Sequence, residues 1–228
     1  MAWFREHLPD PLPAEPLATA CAWLAEATRL AASPNPNAMV LATVDAAGLP
    51  SARVVLCKQI VPSPGYVTFY TNYQSRKGRD LEAHPYAAMV MHWDLLHRQL
   101  RIDGPVVKAE SAESDAYFAT RNWQSSLGAW ASRQSEPVAS RLELYKAVAK
   151  AALRFGLPSP PADEQAPDPG RSIARPPHWG GYHLWAQSVE LWVEGSARIH
   201  DRARWSRSLT AQGNRFDAGA WTATRLQP

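Results

Sequence analysis

Apolar and polar positions in the first half of the chain predict one helix followed by a series of short strands. From Leu17 to Ala32 apolar residues recur at helical spacing, and the run ends where Pro34 and Pro36 prevent its continuation. Short apolar runs then alternate with turns rich in Gly, Pro and Asp, which is typical of β-strands. The predicted strands cover residues 38–44, 51–59, 66–71, 87–93 and 98–107, and a short helix covers 76–83.

The second half of the chain predicts a helical block and then further strands. Apolar residues from Val138 to Phe155 form a stripe at helical spacing, with basic residues outside it. The segment from Leu157 to Pro177 is polar and rich in proline, so we expect a mobile surface loop there. Strands are predicted again over residues 182–185, 189–193, 197–204 and 221–226. This order favours a mainly β fold with attached helices, either a barrel or a sandwich.

Length, charge and cysteine content narrow the class of protein. The 228 residues suit one domain over residues 17–228, preceded by a flexible arm at 1–16. The formal net charge of +3 suits an anionic phosphate ligand as well as nucleic acid, but no basic aromatic motif favours nucleic acid. Cys21 and Cys57 lack the spacing of metal ligands, so no metal is expected. With no signal peptide and no apolar run of membrane-spanning length, we expect a cytoplasmic protein that does not bind membranes.

The richest cluster of titratable residues is the segment 198–202, Arg-Ile-His-Asp-Arg. Alternate residues of a strand share one face, so a strand here would place Arg198, His200 and Arg202 together. Such a face suits an anionic or electron-rich ring, because burying three such groups is costly unless something anionic meets them. An exposed edge strand with solvated charges is the alternative interpretation, and the segment alone does not decide between them.

Two further segments place cations beside apolar strands. Arg53 and Lys58 flank an apolar centre, and their odd spacing directs them to opposite faces of a regular strand unless a bulge intervenes. A predicted strand then runs into a helix whose first residues include Ser75, Arg76 and Lys77. The free amides of a helix N-terminus together with basic side chains can hold a phosphate.

Two other motifs suggest sites but are better explained by local structure. His92, Asp94 and His97 lie in a predicted hairpin turn, and their spacing matches neither a helical nor a strand metal site. Gly180 and Gly181 indicate a close approach of backbone to a neighbour, without the glycine pattern of a dinucleotide site.

Seven segments, in order, resemble the pyridoxine/pyridoxamine 5′-phosphate oxidase family, and the resemblance runs from about Leu17 to Pro228. They are RVVLCK at 53–58, FYTNYQSRKGRDL at 69–81, RQLRIDG at 98–104, YFATRNWQSSLGAWASRQS at 117–135, WGGY at 179–182, ELW at 190–192 and RIHDR at 198–202.

The resemblance implies an FMN-binding split β-barrel that forms a homodimer with FMN at the subunit interface. The implied FMN contacts are Arg53, Val54, Val55, Leu56, Cys57, Lys58, Tyr70, Thr71, Arg76, Lys77, Gln99, Gln134, Ser135, Trp192 and Arg202. The implied substrate-phosphate residues are Lys58, Tyr117, Arg121 and Ser125, while Arg198 and His200 are the implied catalytic residues at the pyridine ring. The implied activity is oxidation of pyridoxamine or pyridoxine 5′-phosphate by O2 to pyridoxal 5′-phosphate, with release of H2O2.

The chain departs from the family pattern in three places, and these bear on lid and substrate preference. Residues 1–16 contain no tyrosine that could cover the substrate, the 162–170 loop is extended, and His183 stands where an arginine is expected. The alternatives are a related split-barrel oxidase acting on a phenazine-type aromatic, or a non-catalytic flavin- or haem-binding protein. The set of Lys58, Tyr117, Arg121 and Ser125 argues against an unphosphorylated substrate. Retention of Arg198 and His200 argues against a non-catalytic protein.

Overall fold

The computed structural model describes residues 6–158, 170 and 172–228, which form five helices and eleven strands. The first half contains α1 (Pro16–Arg29), β1 (Ala38–Val44), β2 (Pro50–Val61), β3 (Tyr66–Asn72), α2 (Arg76–Ala83), β4 (Tyr86–Trp93) and β5 (Arg98–Lys108). The helical block contains α3 (Ser111–Ala119), α4 (Trp123–Ala131) and α5 (Arg141–Arg154). The last part contains β6 (Trp179–Trp185), β7 (Ser188–Val193), β8 (Asp201–Ser206), β9 (Leu209–Gln212), β10 (Arg215–Ala218) and β11 (Thr222–Leu226).

Six strands close into a barrel, and three more extend one side of it. The nine-stranded sheet has the order β11-β8-β7-β5-β4-β1-β2-β3-β6, and an additional pairing between β5 and β6 closes the ring. Closure removes the exposed edges of the six-stranded part and leaves β7, β8 and β11 as an extension beyond β5. The prediction of a mainly β barrel with attached helices is therefore confirmed.

The barrel interior is filled by alternate residues of its strands. In β4 the burial alternates, with Ala87, Met89, Met91 and Trp93 inside. This alternation is the period-2 pattern that the sequence shows. Fully burying one side chain of this size stabilises the fold by roughly 1.5–3 kcal/mol. Other interior residues are Leu41, Phe69, Leu100, Ile102 and Leu184.

The chain divides into two compact units, whereas the sequence predicts a single domain over residues 17–228. One unit comprises Met1–Phe69, Asp80–Val107 and Tyr182–Pro228, and the other comprises Tyr70–Arg79 and Lys108–Gly181. The first therefore holds the greater part of the barrel and its three-strand extension, and the second holds α3, α4 and α5.

Residues 6–13 are docked within the first unit, in contrast with the flexible arm expected over residues 1–16. Leu8 is buried, and its amide donates to the Asp201 carboxylate at 2.8 Å. Glu6 forms an ion pair with Arg98, and the Trp205 indole donates to the Pro13 carbonyl at 2.7 Å. Residues 1–5 lie outside the described part of the chain.

The second unit has its own apolar core, centred on Phe118, Trp123, Leu127, Ala152 and Trp179. The predicted stripe from Val138 to Phe155 does form α5, but its N-terminal half is not buried: Leu142 and Tyr145 are 59% and 70% exposed. The loop predicted to be mobile begins at a buried Leu157 and rejoins the core at a buried Ile173, while residues 159–169 and 171 lie outside the described residues.

The largest difference from the predicted elements lies in the last 40 residues. The strand expected over 197–204 begins only at Asp201, because Ala197 and Arg198 adopt left-handed backbone angles, with φ of 54° and 63°. Such angles are incompatible with an extended strand. The hairpin of β9 and β10 was not predicted, since its turn carries only one glycine, Gly213, and its strands are short and polar.

Candidate active site

Three residues implied as flavin contacts lie side by side across the sheet extension. Gln99 of β5 pairs with Trp192 of β7, and Trp192 pairs with Arg202 of β8. Residues directly opposite in antiparallel strands point to the same face, so these side chains form one row. The sequence separates Gln99 from Arg202 by about 100 residues, and only strand pairing brings them together.

A buried carboxylate holds the cation at the end of this row. Glu190, which is 7% exposed, accepts from Arg202 Nη2 at 2.8 Å and from Nε at 3.2 Å. Arg101 lies 3.6 Å from the other oxygen of the same carboxylate. The planar guanidinium of Arg202 is thereby fixed in orientation, and its charge is largely neutralised by Glu190.

Arg198 and His200 lie in a turn before β8, so the prediction that they share a strand face with Arg202 is wrong. Arg198 is exposed and left-handed, and positive φ breaks the alternation on which that prediction depends. His200 instead packs on the Trp192 ring, with centroids 4.7 Å apart. Its Nδ1 accepts from the Gly195 amide at 3.2 Å, which in the neutral ring leaves the proton on Nε2. The turn therefore still places His200 against one member of the Gln99–Trp192–Arg202 row.

The segment 53–58 of β2 presents an apolar outer surface between two cations. Val54 and Leu56 are 65% and 37% exposed, whereas Cys57 points inward and its burial raises the pKa of the thiol to about 12. Arg53 contacts Asp80 at 3.5 Å and donates to Thr43 at 2.6 Å. The pairing of β2 with β3 shifts register between Cys57 and Gln59, so an exposed Lys58 sits in a bulge. The spacing of Arg53 and Lys58 predicted either opposite faces of a regular strand or a bulge, and the register shift lies at Lys58. Val55 is the remaining, half-buried member of the segment.

In the second unit, a buried lysine lies at the start of α2. Lys77 Nζ donates to Gln134 Oε1 at 2.7 Å, to Thr71 at 3.1 Å and to Ser75 at 3.2 Å. These three partners are neutral oxygens, and together they fix the position of the buried ammonium. Arg76 is exposed at the same helix start, and Ser135 follows Gln134 with a left-handed φ of 74°. The phosphate cradle predicted at this helix start stays a prediction.

The implied substrate-phosphate residues of the second unit lie on and after α3. Tyr117 stacks on Tyr70 with ring centroids 3.9 Å apart, and Tyr70 donates to Glu113 at 3.2 Å. Burial, with Glu113 nearby, raises the pKa of Tyr70, so its phenol stays protonated at neutral pH. Arg121 donates through Nη2 to the main-chain carbonyl of Ser125 at 2.9 Å. The exposed Ser125 hydroxyl thus lies on the residue that anchors the arginine.

The two motifs that local structure was expected to explain are His92–His97, which forms a turn, and Gly180–Gly181, which lies in a close contact. His97 has φ of 54° and closes a short turn by donating its amide to the Asp94 carbonyl at 3.0 Å. A Cβ added at Gly180 would lie 2.1 Å from the Tyr73 hydroxyl, so only glycine fits there. Within the described residues, no three His, Cys, Asp or Glu side chains group as metal ligands, and no helix has the length and apolar character to cross a membrane.

The sequence alone indicates no role for Glu190 or Trp179, although both lie in segments that carry the family resemblance. Glu190 lies between two buried apolar residues of a predicted strand, and a carboxylate at such a position signals a cationic partner. Trp179 precedes the Gly180–Gly181 pair, and nothing local indicates that its ring meets Arg121, 58 positions earlier.

The fold and these clusters fit a class of barrel protein that binds a phosphorylated aromatic ligand. A family model described as pyridoxamine 5′-phosphate oxidase matches residues 26–155, and one described as pyridoxine 5′-phosphate oxidase C-terminal dimerisation region matches residues 179–228. The chain belongs to the pyridoxine/pyridoxamine 5′-phosphate oxidase family.

Similar proteins cover nearly the whole chain. A pyridoxine/pyridoxamine 5′-phosphate oxidase of Paracoccus denitrificans is 45% identical over 225 residues, covering 94% of this chain and 95% of that protein. A protein of the same name from Caulobacter vibrioides is 44% identical, covering 98% of this chain and 90% of that protein. The solved structure of PhzG from Burkholderia lata, in complex with tetrahydrophenazine-1-carboxylic acid, is 30% identical with a TM-score of 0.80 and covers 100% of both chains.

Proposed function

We propose that the protein oxidises pyridoxamine 5′-phosphate and pyridoxine 5′-phosphate to pyridoxal 5′-phosphate with FMN as cofactor and O2 as oxidant. The alcohol and O2 yield the aldehyde and H2O2. The amine, O2 and water yield the aldehyde, ammonia and H2O2. The observation that carries the proposal is 45% identity over nearly the full length to an oxidase of this name.

The residues present fit FMN. The row of Gln99, Trp192 and Arg202 offers an amide, an aromatic ring and a cation on one face of the sheet. Lys77 offers a buried cation that three neutral oxygens fix at the start of α2, and an ammonium there would suit a phosphate. We assign both groups, together with residues 53–58, as FMN contacts. Bound FMN would supply the acceptor for the hydride that leaves C4′ of the substrate.

The chain's own residues would bind and orient the substrate. Arg121, with Lys58, Tyr117 and Ser125, would hold the phosphate. His200, through its Nε2 proton, and Arg198 would meet the oxygen and nitrogen atoms of the pyridine ring. Such positioning places the reacting carbon without covalent chemistry from the protein.

We also propose a homodimer with FMN at its interface, which the family assignment supports. The C-terminal family model is described as a dimerisation region. The outer face of the barrel exposes Val40, Val54 and Leu56, which are 42%, 65% and 37% accessible. Val40 is paired with Val54, so these side chains form one apolar patch. A stable dimer interface would cover such a patch. A monomeric mass in solution with full activity would contradict this assignment.

A phenazine-type oxidase is the second candidate, favoured by the similarity to PhzG at a TM-score of 0.80. The lower identity, 30% against 45%, places this chain nearer to the B6 oxidases. Lys58, Tyr117, Arg121 and Ser125 together suit a phosphate, which a phenazine carboxylate lacks.

The deciding experiment is an absorbance spectrum of the purified protein followed by turnover. We expect a flavin spectrum, release of FMN on denaturation, and formation of pyridoxal 5′-phosphate and H2O2 from either phosphorylated vitamer. A protein loaded with FMN that oxidises neither vitamer, but does oxidise a dihydrophenazine carboxylate, would establish the second candidate. We expect this activity in the cytoplasm, which fractionation of the source cells would test.

A further inference from the structure

Arg121 is held by aromatic rings rather than by a carboxylate. Its Cζ lies 4.6 Å from the centroid of Trp179 and 5.5 Å from that of Phe118. Its one hydrogen bond to the described residues is donated to the Ser125 carbonyl, and no carboxylate among them lies within 4.0 Å. A ring attracts a cation through its quadrupole and leaves the net charge intact, whereas a carboxylate would cancel it.

Trp179 is itself fixed on several sides. It begins β6, is 5% exposed, and its ring lies parallel to Tyr70 and Tyr117, at interplanar angles of 10° and 6°. Phe118 meets it edge-on with centroids 5.0 Å apart. Because buried rings in such contacts have one orientation, Trp179 presents a rigid surface to the guanidinium.

Arg121 retains an unused donor. Its Nε is buried and has no hydrogen-bond partner among the described residues, and the same is true of the Trp123 indole nitrogen. Both residues line a cavity of about 230 Å³ together with Ser126. Burial lowers the pKa of Arg121, because the charged form loses solvation. An orphaned, buried N–H on a cation is relieved by an incoming anion.

We propose that Trp179 is a positioning residue that orients the Arg121 guanidinium for an anionic ligand, and so sets the preference for phosphorylated over unphosphorylated B6 vitamers. This inference rests on the proposed function, in which Arg121 binds the substrate phosphate. Trp179 acts through Arg121 and does not contact the reacting atoms.

The test compares Trp179→Leu and Trp179→Phe with the wild-type FMN enzyme, using pyridoxine 5′-phosphate and pyridoxine as substrates. Trp179→Leu should lower kcat/KM for the phosphate ester by about tenfold, mainly through KM, since a desolvated cation–π contact is worth about that factor. The value for pyridoxine should change by less than about twofold. Trp179→Phe keeps a ring and should recover part of the loss.

Binding provides a readout that does not depend on turnover. Fluorescence titration should show weaker binding of pyridoxal 5′-phosphate to Trp179→Leu, with unchanged binding of pyridoxal and of FMN. Trp130→Leu is the matched control, because Arg154 lies 4.0 Å over Trp130 in an equivalent stack that includes none of the implied substrate-binding residues. Its phosphate preference should equal that of the wild type.

Equal losses for the phosphorylated and unphosphorylated ligands, or no recovery in Trp179→Phe, would overturn the inference. If Trp179→Leu does not fold, the comparison of Trp179→Phe with wild type decides, because the weaker quadrupole of Phe should still lower the preference about threefold. In an Arg121→Met background, Trp179→Phe should have no further effect on this preference, and an additive effect would contradict the mechanism. A wild-type enzyme that binds FMN and oxidises neither substrate would refute the proposed function instead.

Discussion

Arg202 and Arg98 of one unit and Arg121 of the other are held in different ways. In the unit that contains most of the barrel, Arg202 is bound by buried Glu190, and Arg98 is bound by Glu6 and Glu26. In the helical unit, Arg121 lies on the Trp179 ring and has no carboxylate partner among the described residues. Carboxylates fix a guanidinium and neutralise it, whereas an aromatic ring fixes it and leaves its charge for a ligand.

The same difference appears in the pKa values of Arg98 and Arg121, which are shifted in opposite directions. Burial acts on both Arg98 and Arg121 to lower the pKa of the guanidinium. At Arg98 the hydrogen bonds and charges of Glu6 and Glu26 outweigh burial, and the pKa is raised. At Arg121 burial dominates and the pKa is lowered. Arg121 is therefore the cation that gains more from an incoming anion.

Replacing Arg121 gives the largest expected effect. Arg121→Met should lower kcat/KM for pyridoxine 5′-phosphate by about 100- to 1,000-fold, or roughly 3–4 kcal/mol, because a desolvated charge pair with the phosphate is lost. FMN affinity, measured by fluorescence titration, should remain within twofold. Arg154→Met, which removes an arginine stacked on Trp130, is the control and should leave kinetics unchanged. Parallel losses of FMN and substrate would show that Arg121 serves the cofactor.

Replacing Arg198 or His200 should give the next largest effect. Arg198, like Arg121, has no carboxylate partner among the described residues, so it tests whether uncompensated arginines mark ligand contacts. Arg198→Ala and His200→Ala should each lower kcat/KM by about 30- to 100-fold, or roughly 2–3 kcal/mol. The FMN spectrum and the mass in solution should stay as in the wild type. Loss of FMN from both variants would mean that the turn is only structural.

Replacing Glu190 should affect stability and cofactor binding more than substrate recognition. Glu190→Gln leaves Arg202 without its buried counter-charge, and urea unfolding should show a loss of about 2 kcal/mol. FMN affinity should fall as well, because Arg202 loses its fixed orientation. Glu143→Gln removes an exposed partner of Lys146 and should cost less than about 0.5 kcal/mol. Equal stability of the two variants would contradict the inference that the buried Glu190 carboxylate stabilises the fold by holding Arg202.

The smallest expected effect is that of replacing Cys57, whose thiol pKa is raised mainly by burial and not by a charged partner. Its pKa is about 12 in the folded protein against an ordinary value of 9.0. Above pH 9 the unfolded chain releases this proton and the folded chain does not, so stability is lost as pH rises from 9 towards 12. Between pH 8 and 10 the unfolding free energy should fall by about 1 kcal/mol more in a Cys21→Ser variant than in the same variant with Cys57→Ala. No difference between the two would show that Cys57 is exposed to solvent.

Most of the barrel could be predicted from the sequence, because each strand shows its pattern of apolar and polar residues within a few consecutive positions. The alternation in β4 and the apolar run of β1 are visible in seven or eight consecutive residues, and their bounds agree with the structure to within one residue. The same holds for α2, whose predicted bounds are those observed. The segments that carry the family resemblance are equally local, so family membership and the proposed activity also follow from the sequence.

The tertiary structure decided how the candidate site is assembled. Left-handed angles at Ala197 and Arg198 turn the expected strand into a loop, and nothing in the residue types requires them. The row of Gln99, Trp192 and Arg202 depends on which strands pair. The docking of Leu8 on Asp201 spans 193 positions. Local patterns report only whether a residue prefers burial and which dihedral angles it favours. Which buried groups meet is set by packing between distant segments, and that is where a charge such as Arg121 acquires or lacks its partner.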